Sequence, residues 1–138
     1  MSDFNQQIIE EFRANGGRVQ RFGSSLVLLH TSGAKSGEPR LSPVMGIAQP
    51  DGSWLVAASK AGAPSNPAWY ANLVAHPEAA VEAPTDDGVV TVEVTAAPLE
   101  GEERDAGWAQ FVARSPGFAD YEVKAGSRVI PVVKLSPR

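Results

Sequence analysis

The chain has 138 residues, 12 Lys and Arg against 16 Asp and Glu, and a formal charge of −4 at pH 7. That length predicts one domain spanning 1–138, large enough to bury a core without disulfides or metals, and the acidic balance argues against a general nucleic-acid binder, which presents a basic face. Cysteine is absent, which removes thiol nucleophiles, disulfides and cysteine-ligated metals together.

No apolar run approaches the roughly 18 residues that a membrane helix needs. The opening "MSDFNQQIIEEF" lacks the basic start and continuous apolar stretch of a secretory signal. A cytoplasmic placement is therefore expected, with peripheral association at the inner membrane face as its variant. His30 and His76 are the only histidines; they lack HxxxH-type spacing, so no metal site is expected.

Residues 3–15 read as a helix: Phe4, Ile8 and Phe12 recur at i+4, Ile9 widens the stripe, and Gly16-Gly17 stops it. "SLVLLHT" (25–31) reads as a buried strand. "RLSPVMGIAQ" (40–49) and "SWLVAASK" (53–60) flank the turn "PDG" and predict a β-hairpin. Asn66 as N-cap and Pro67 at N1 predict a short helix over 67–75, ended by Pro77. "AAVEA" (79–83) and "GVVTVEVTAAPL" (88–99) are strands around "PTDDG", the second with clean alternation. A helix over 100–113 follows, acidic at its start and with Arg114 at its end, as the helix dipole prefers. "PGFADYEVK" reads as a further short helix, and "RVIPVVKL" (128–135) as a last strand that Pro131 confines to an edge or bulge. About six strands, mostly in meander order, with one early helix and two or three short later ones, predict a mainly β, α+β chain: a small antiparallel barrel with helices on its rim.

The stretch "SGAKSGEPRLSPV" (32–44) carries Lys35 and Arg40 on a loop of Gly, Ser and Pro in an otherwise acidic chain. Lys35, Arg40 and Lys60 are the only Lys and Arg between positions 22 and 103. An antiparallel hairpin from Arg40 to Lys60 brings its two ends together. Gly33 and Gly37 let the backbone approach a ligand and leave N–H groups free to aim at it. An anion, phosphate above all, suits such a site; the plainer reading is three solvated charges, some paired with Glu38 or Asp51. "SKAGAPSNPAWYANL" (59–73) adds the Ser59 hydroxyl, a helix start, the flat faces of Trp69 and Tyr70, and the Asn72 amide. Here too a plainer reading stays open, with Trp69 and Leu73 as a core stripe and Asn72 on the surface. No nucleophile–base pair emerges. A pocket with a cationic end and an aromatic side is what remains, and that describes the site of a cofactor carrying its own chemistry.

"TSGAKSGEPRLSPV", "LVAASKAGAPSNPAWYANLVAHPEAAVE" and "FADYEVKAGSRVIPVVKL" resemble the deazaflavin-dependent nitroreductase family, split-β-barrel proteins of actinobacteria that use the deazaflavin coenzyme F-420. The resemblance covers residues 25–136, which it marks as the barrel core, leaving 1–24 as a helix and lead-in. It implies hydride transfer from reduced F-420 to quinones, nitro-compounds or activated unsaturated carbonyl compounds. It also implies that Lys35, Arg40 and Lys60 hold the cofactor's phosphate and glutamate tail, with Ser36 and Gly37 of the first motif beside them. Pro43, Ala57 and Ser59 would line the ring, and Trp69 and Asn72 would complete the pocket. Tyr121 matches one of the family's tyrosines beside the substrate; Phe118 stands where a tyrosine is common, and Met45 where an aromatic can be. Ser59 and Tyr121 are the catalytic candidates, the first bonding ring or substrate oxygen, the second donating a proton or hydrogen bond. Two other classes fit the same barrel: an FMN-dependent oxidoreductase, and a non-catalytic barrel carrying a cofactor or lipid. A small-molecule acceptor is the expected partner, and exposed strand edges would favour a homodimer.

Overall fold

The computed structural model describes residues 3–20, 26–59, 62, 66–85, 88–126 and 129–138. Helix α1 (Asp3–Ala14) precedes strands β1 (Leu26–Ser32), β2 (Pro39–Ala48) and β3 (Trp54–Ala57). Helix α2 (Ala68–Ala75), strands β4 (Glu78–Thr85) and β5 (Gly88–Pro98), helices α3 (Gly101–Arg114) and α4 (Gly117–Ala125), and strand β6 (Val132–Pro137) complete the order. The six strands close into an antiparallel barrel in the order β1-β2-β3-β6-β5-β4, with β4 returning to β1. No described helix is long and apolar enough to cross a membrane.

Strand β1 shows why the barrel has helices outside it. Successive side chains of a strand point to opposite faces. Val27 and Leu29 enter the barrel interior with Val56, Val81, Val94, Val133 and Leu135. Leu26 and Leu28 point outward and pack under Ile8, Ile9 and Phe12 of α1. A run apolar on both faces must be covered on both. The α1 stripe is thus a cover for the barrel wall, as its spacing implies; the Phe4 side chain lies outside the described residues. On the opposite wall, outward Ile47, Leu55 and Val132 are covered by Trp108 and Phe111 of α3, with Phe118 and Tyr121 of α4 at the margin.

Three local expectations shift. The α2 N-cap is Pro67 rather than Asn66, with extended φ −66° and ψ 154°; the ring's fixed φ suits either position. Strand β3 stops at Ala57, where the chain leaves the ladder after one more bond, Ala58 N–H to the Pro131 carbonyl at 2.9 Å. Strand β6 starts only after Pro131, whose missing N–H therefore removes no ladder bond. Strand β6 has β3 on one side and β5 on the other, so Pro131 is not at a sheet edge. Among the described residues β3 pairs with β2 only at Gly46, Ile47 and Ala48, so the stretch of β2 from Pro39 to Met45 is laddered to β1 alone, the kind of edge on which the homodimer expectation rests.

Candidate functional site

The loop between β1 and β2 is a built structure. Gly33 N–H donates to the Glu38 carbonyl and Gly37 N–H to the Gly33 carbonyl, both at 2.8 Å. Gly37 has φ +71°, the left-handed conformation that favours glycine. Asn72 of α2 fastens the loop: its Oδ1 accepts from Ala34 N–H at 2.9 Å, and its Nδ2 donates to Thr31 Oγ1 at 3.2 Å. Asn72 and Thr31 are both buried. Asn72 is therefore an interior clamp rather than a surface residue, and losing either bond would strand a buried polar group.

This bonding corrects one expectation. The Gly33 and Gly37 N–H groups are used inside the loop and do not face a ligand; Ala34 is taken by Asn72 and Glu38 by the Ser36 hydroxyl. Among the described residues, the Lys35 and Ser36 N–H groups keep no partner.

A cleft of about 930 Å³ opens beside the loop, lined by Lys35, Ser36, Arg40, Trp69 and Asn72, and also by His30 and by Asn5 of α1. Lys35 and Arg40 do share one concave surface. Arg40 Nη1 lies 3.5 Å from Glu38 Oε2 and 3.4 Å from the Pro39 carbonyl, at the weak limit of hydrogen bonding. Both side chains are more than half exposed, so this pair contributes little and leaves the guanidinium available. Asp51 is engaged elsewhere, with Lys134 at 2.8 Å. Lys60 lies outside the described residues. Trp69 satisfies both readings at once: it joins Leu73 in the interior cluster and still lines the cleft.

Tyr121, Ser59 and Ala57 are not on that cleft. Ala57, Met45, Phe118 and Tyr121 pack together at the margin of the α3–α4 cluster, the Phe118 and Tyr121 rings edge-on at 5.4 Å. The Ser59 carbonyl accepts from Gly62 N–H at 2.9 Å, and a Cβ placed on Gly62 would sit 2.8 Å from the Tyr121 carbonyl oxygen. The turn after β3 is thus pressed directly onto α4, which brings Ser59 to the Tyr121 side. Pro43 lies between the two regions. It shares the outer face of β2 with Leu41, in the α1 cluster, and Met45, in the α4 cluster, and is half-buried. The candidates therefore form a track along β2, cationic at the loop end and aromatic at the α4 end.

The family model described as "F420H(2)-dependent quinone reductase" matches residues 4–137. The chain belongs to that family. It is 36% identical over 116 residues to an F420H(2)-dependent quinone reductase of Mycobacterium tuberculosis (strain H37Rv), covering 81% of this chain and 73% of the relative. A solved F420-H2 dependent reductase, FDR-A, superposes with a TM-score of 0.71 at 39% identity, over 81% of this chain and 94% of that one. A solved domain-swapped dimer superposes with a TM-score of 0.73 at 37% identity, over 95% and 93%.

Within this quinone reductase family chain, a polar group that sequence reasoning passed over sits at the edge of the cleft. His30 Nε2 is 2.6 Å from Glu82 Oε2, and Arg13 grips the same carboxylate, Nη2 to Oε2 at 2.7 Å and Nε to Oε1 at 3.3 Å. The Arg13 hydrogen bond holds the Glu82 carboxyl below its ordinary range against the opposing effect of burial, and the His30 bond adds to it. These contacts join α1, β1 and β4 across long sequence separations. The one available signal was parity: His30 falls on the outward face with Leu26 and Leu28, a polar residue closing an apolar row.

Proposed function

We propose that the chain is an F420-dependent reductase that passes two electrons to quinones, nitro-compounds or activated unsaturated carbonyl compounds, and that residues 1–138 act as one cofactor-binding domain. The observation that carries this reading is the convergence of Lys35 and Arg40 on one cleft of an acidic chain, with the Phe118 and Tyr121 cluster further along the outer face of β2. The donor set fits an anionic tail: two cations and, among the described residues, two backbone N–H groups without internal partners, with Glu38 too weakly held on Arg40 to occupy its guanidinium.

When bound, reduced deazaflavin supplies the hydride. The chain's own residues bind and orient. Lys35 and Arg40 hold phosphate and carboxylate groups of the tail, with Ser36 beside them and Gly37 shaping the turn; Lys60 is assigned to the same role from the motif. Trp69 and Asn72 form the wall, Asn72 chiefly by fixing the loop. Pro43, Ala57 and Ser59 line the ring, and the Ser59 hydroxyl bonds to a ring or substrate oxygen. The Tyr121 hydroxyl donates to the acceptor oxygen as negative charge builds on it. Holding donor and acceptor at reacting distance is the other contribution of the chain to the rate. The reading places the enzyme in the cytoplasm, at the inner membrane face when the acceptor is a lipid-soluble quinone. By likeness to the solved dimer, two copies are expected to associate.

The direct test mixes protein, reduced F-420 and menadione and follows the return of the oxidised cofactor's visible band; no return above the protein-free rate would defeat the proposal. Arg40→Ala is expected to weaken F-420 affinity about 10- to 100-fold, the equivalent of one charge-assisted bond, with an unchanged melting temperature. Equal affinities in a fluorescence titration would remove Arg40 from the site. Tyr121→Phe is expected to slow turnover by about 10-fold or more at unchanged F-420 affinity; matching steady-state rates would make the hydroxyl dispensable.

A further inference from the structure

We infer that His30, positioned by Glu82, is a further tail-binding residue of the cleft, adding a donor to the anionic end of the cofactor as the pH falls. This rests on the F-420 reading and adds to it a residue and a pH dependence.

The geometry assigns each ring nitrogen a different task. Glu82 accepts at Nε2, so that nitrogen carries a proton in either charge state, and the carboxylate fixes the plane of the ring. Among the described residues Nδ1 has no partner. The side chain is 39% exposed while that of Glu82 is 12% exposed, so the ring reaches into the cleft and its anchor stays beneath. His30 lines the same surface as Lys35 and Arg40, on the loop side of the track and away from Tyr121. In neutral imidazole Nδ1 is an acceptor and offers nothing to an anion; protonated, it becomes a second N–H donor on a residue that lines the same cleft as the two cations.

The charged groups around His30 are Glu82 on β4, Arg13 on α1, Lys35 on the loop, and Arg40 on β2 with Glu38 near it. Arg13 already neutralises Glu82. An anion bound in the cleft attracts a further positive charge. Protonation of His30 and binding of the tail therefore favour each other, which is ordinary linkage between a ligand and a proton. Glu82 stays ionised through the range in which histidines titrate, because Arg13 depresses its pKa.

Equilibrium titration with oxidised F-420 from pH 5.5 to 8.5 tests this in the wild type, His30→Gln and Glu82→Gln. The ratio of variant to wild-type Kd for His30→Gln is expected near ~10 at the acid end and to fall toward ~1 at the alkaline end. Taking a ratio cancels any titration of the deazaflavin ring. Glu82→Gln is expected to lose most of the same acid gain, because the ring is no longer fixed. The form of the cofactor lacking glutamates tells the sources apart: the ratio persists if His30 meets phosphate and vanishes if it meets a glutamate carboxylate. With the deazaflavin riboside, which lacks both, it should be ~1 throughout. Thermal melts in each buffer separate binding from unfolding, and His30→Asn replaces the glutamine variant if that one melts early. F-420 binding with a pH-independent ratio, or a ratio that survives in the riboside, overturns the role of His30 alone. Wild-type protein that fails to bind F-420 takes the parent reading down with it.

Discussion

Phe111→Ala is expected to lower folding stability by about 3–5 kcal/mol, the range for emptying a fully buried aromatic site. Phe111 has no exposed surface. Its ring lies 6.5 Å from Trp108 and 5.4 Å from Phe118, and with Ile47, Leu55, Ile130 and Val132 it fills the space between α3 and the outer barrel wall. The cavity cannot collapse easily, because one side is a hydrogen-bonded sheet. For a chain of this length the loss corresponds to a fall in Tm of about 10 °C or more. Phe111 also backs Phe118, which packs edge-on against Tyr121 at 5.4 Å. Turnover should therefore fall while F-420 affinity, set at the other end of the track, changes by less than about threefold. A urea denaturation curve and an F-420 titration on the same sample decide it. A stability change below ~1 kcal/mol would show that this cluster does not hold α4.

The architecture was legible wherever the local pattern had a single physical solution. "SLVLLHT" is apolar at both parities, so it had to be covered on both faces, and it is. The alternation in "GVVTVEVTAAPL", the turn "PDG" and the α1 stripe each fixed an element for similar reasons. The errors came where a long-range contact decides a local detail. Strand β3 leaves the ladder after the bond from Ala58 to Pro131, a partner more than 70 positions away, and Gly33 and Gly37 spend their N–H groups within the loop because the chain folds back from Glu38. Asn72 looked as much like a surface residue as a clamp, since its partners Ala34 and Thr31 lie about 40 positions away. The candidate site was legible in composition rather than in shape. Lys35 and Arg40 stood out as cations in an acidic chain, but their spacing alone left solvated charges as an equal reading. Family resemblance supplied the cofactor; the fold then supplied the cleft. His30 had no comparable local mark, because its meaning depends on Glu82 and Arg13.

Gly62→Ala is expected to be the most damaging single-methyl change to turnover. Gly62 has φ +79°, a conformation that disfavours an L-residue by about 1–2 kcal/mol. Its added Cβ would lie 2.8 Å from the Tyr121 carbonyl oxygen, 2.9 Å from Lys124 Cβ and 3.1 Å from Tyr121 Cα. Two of these three atoms belong to the α4 backbone, so no side-chain rotation relieves the contact; helix or turn must move, at about 1–3 kcal/mol more. The displaced parts are those that carry Ser59 and Tyr121. A shift on the order of 1 Å between them is enough to reduce turnover about 100-fold, with tail affinity largely retained. Gly52→Ala is the control: it too has positive φ, +89°, but nothing within 4 Å of an added Cβ. It therefore carries the conformational strain without the collision. The difference between the two variants, in urea midpoint and in kcat, isolates the pressure of the turn on α4. Equal values for both would mean that the turn yields freely, and that the contact seen at Tyr121 does not position the aromatic end of the site.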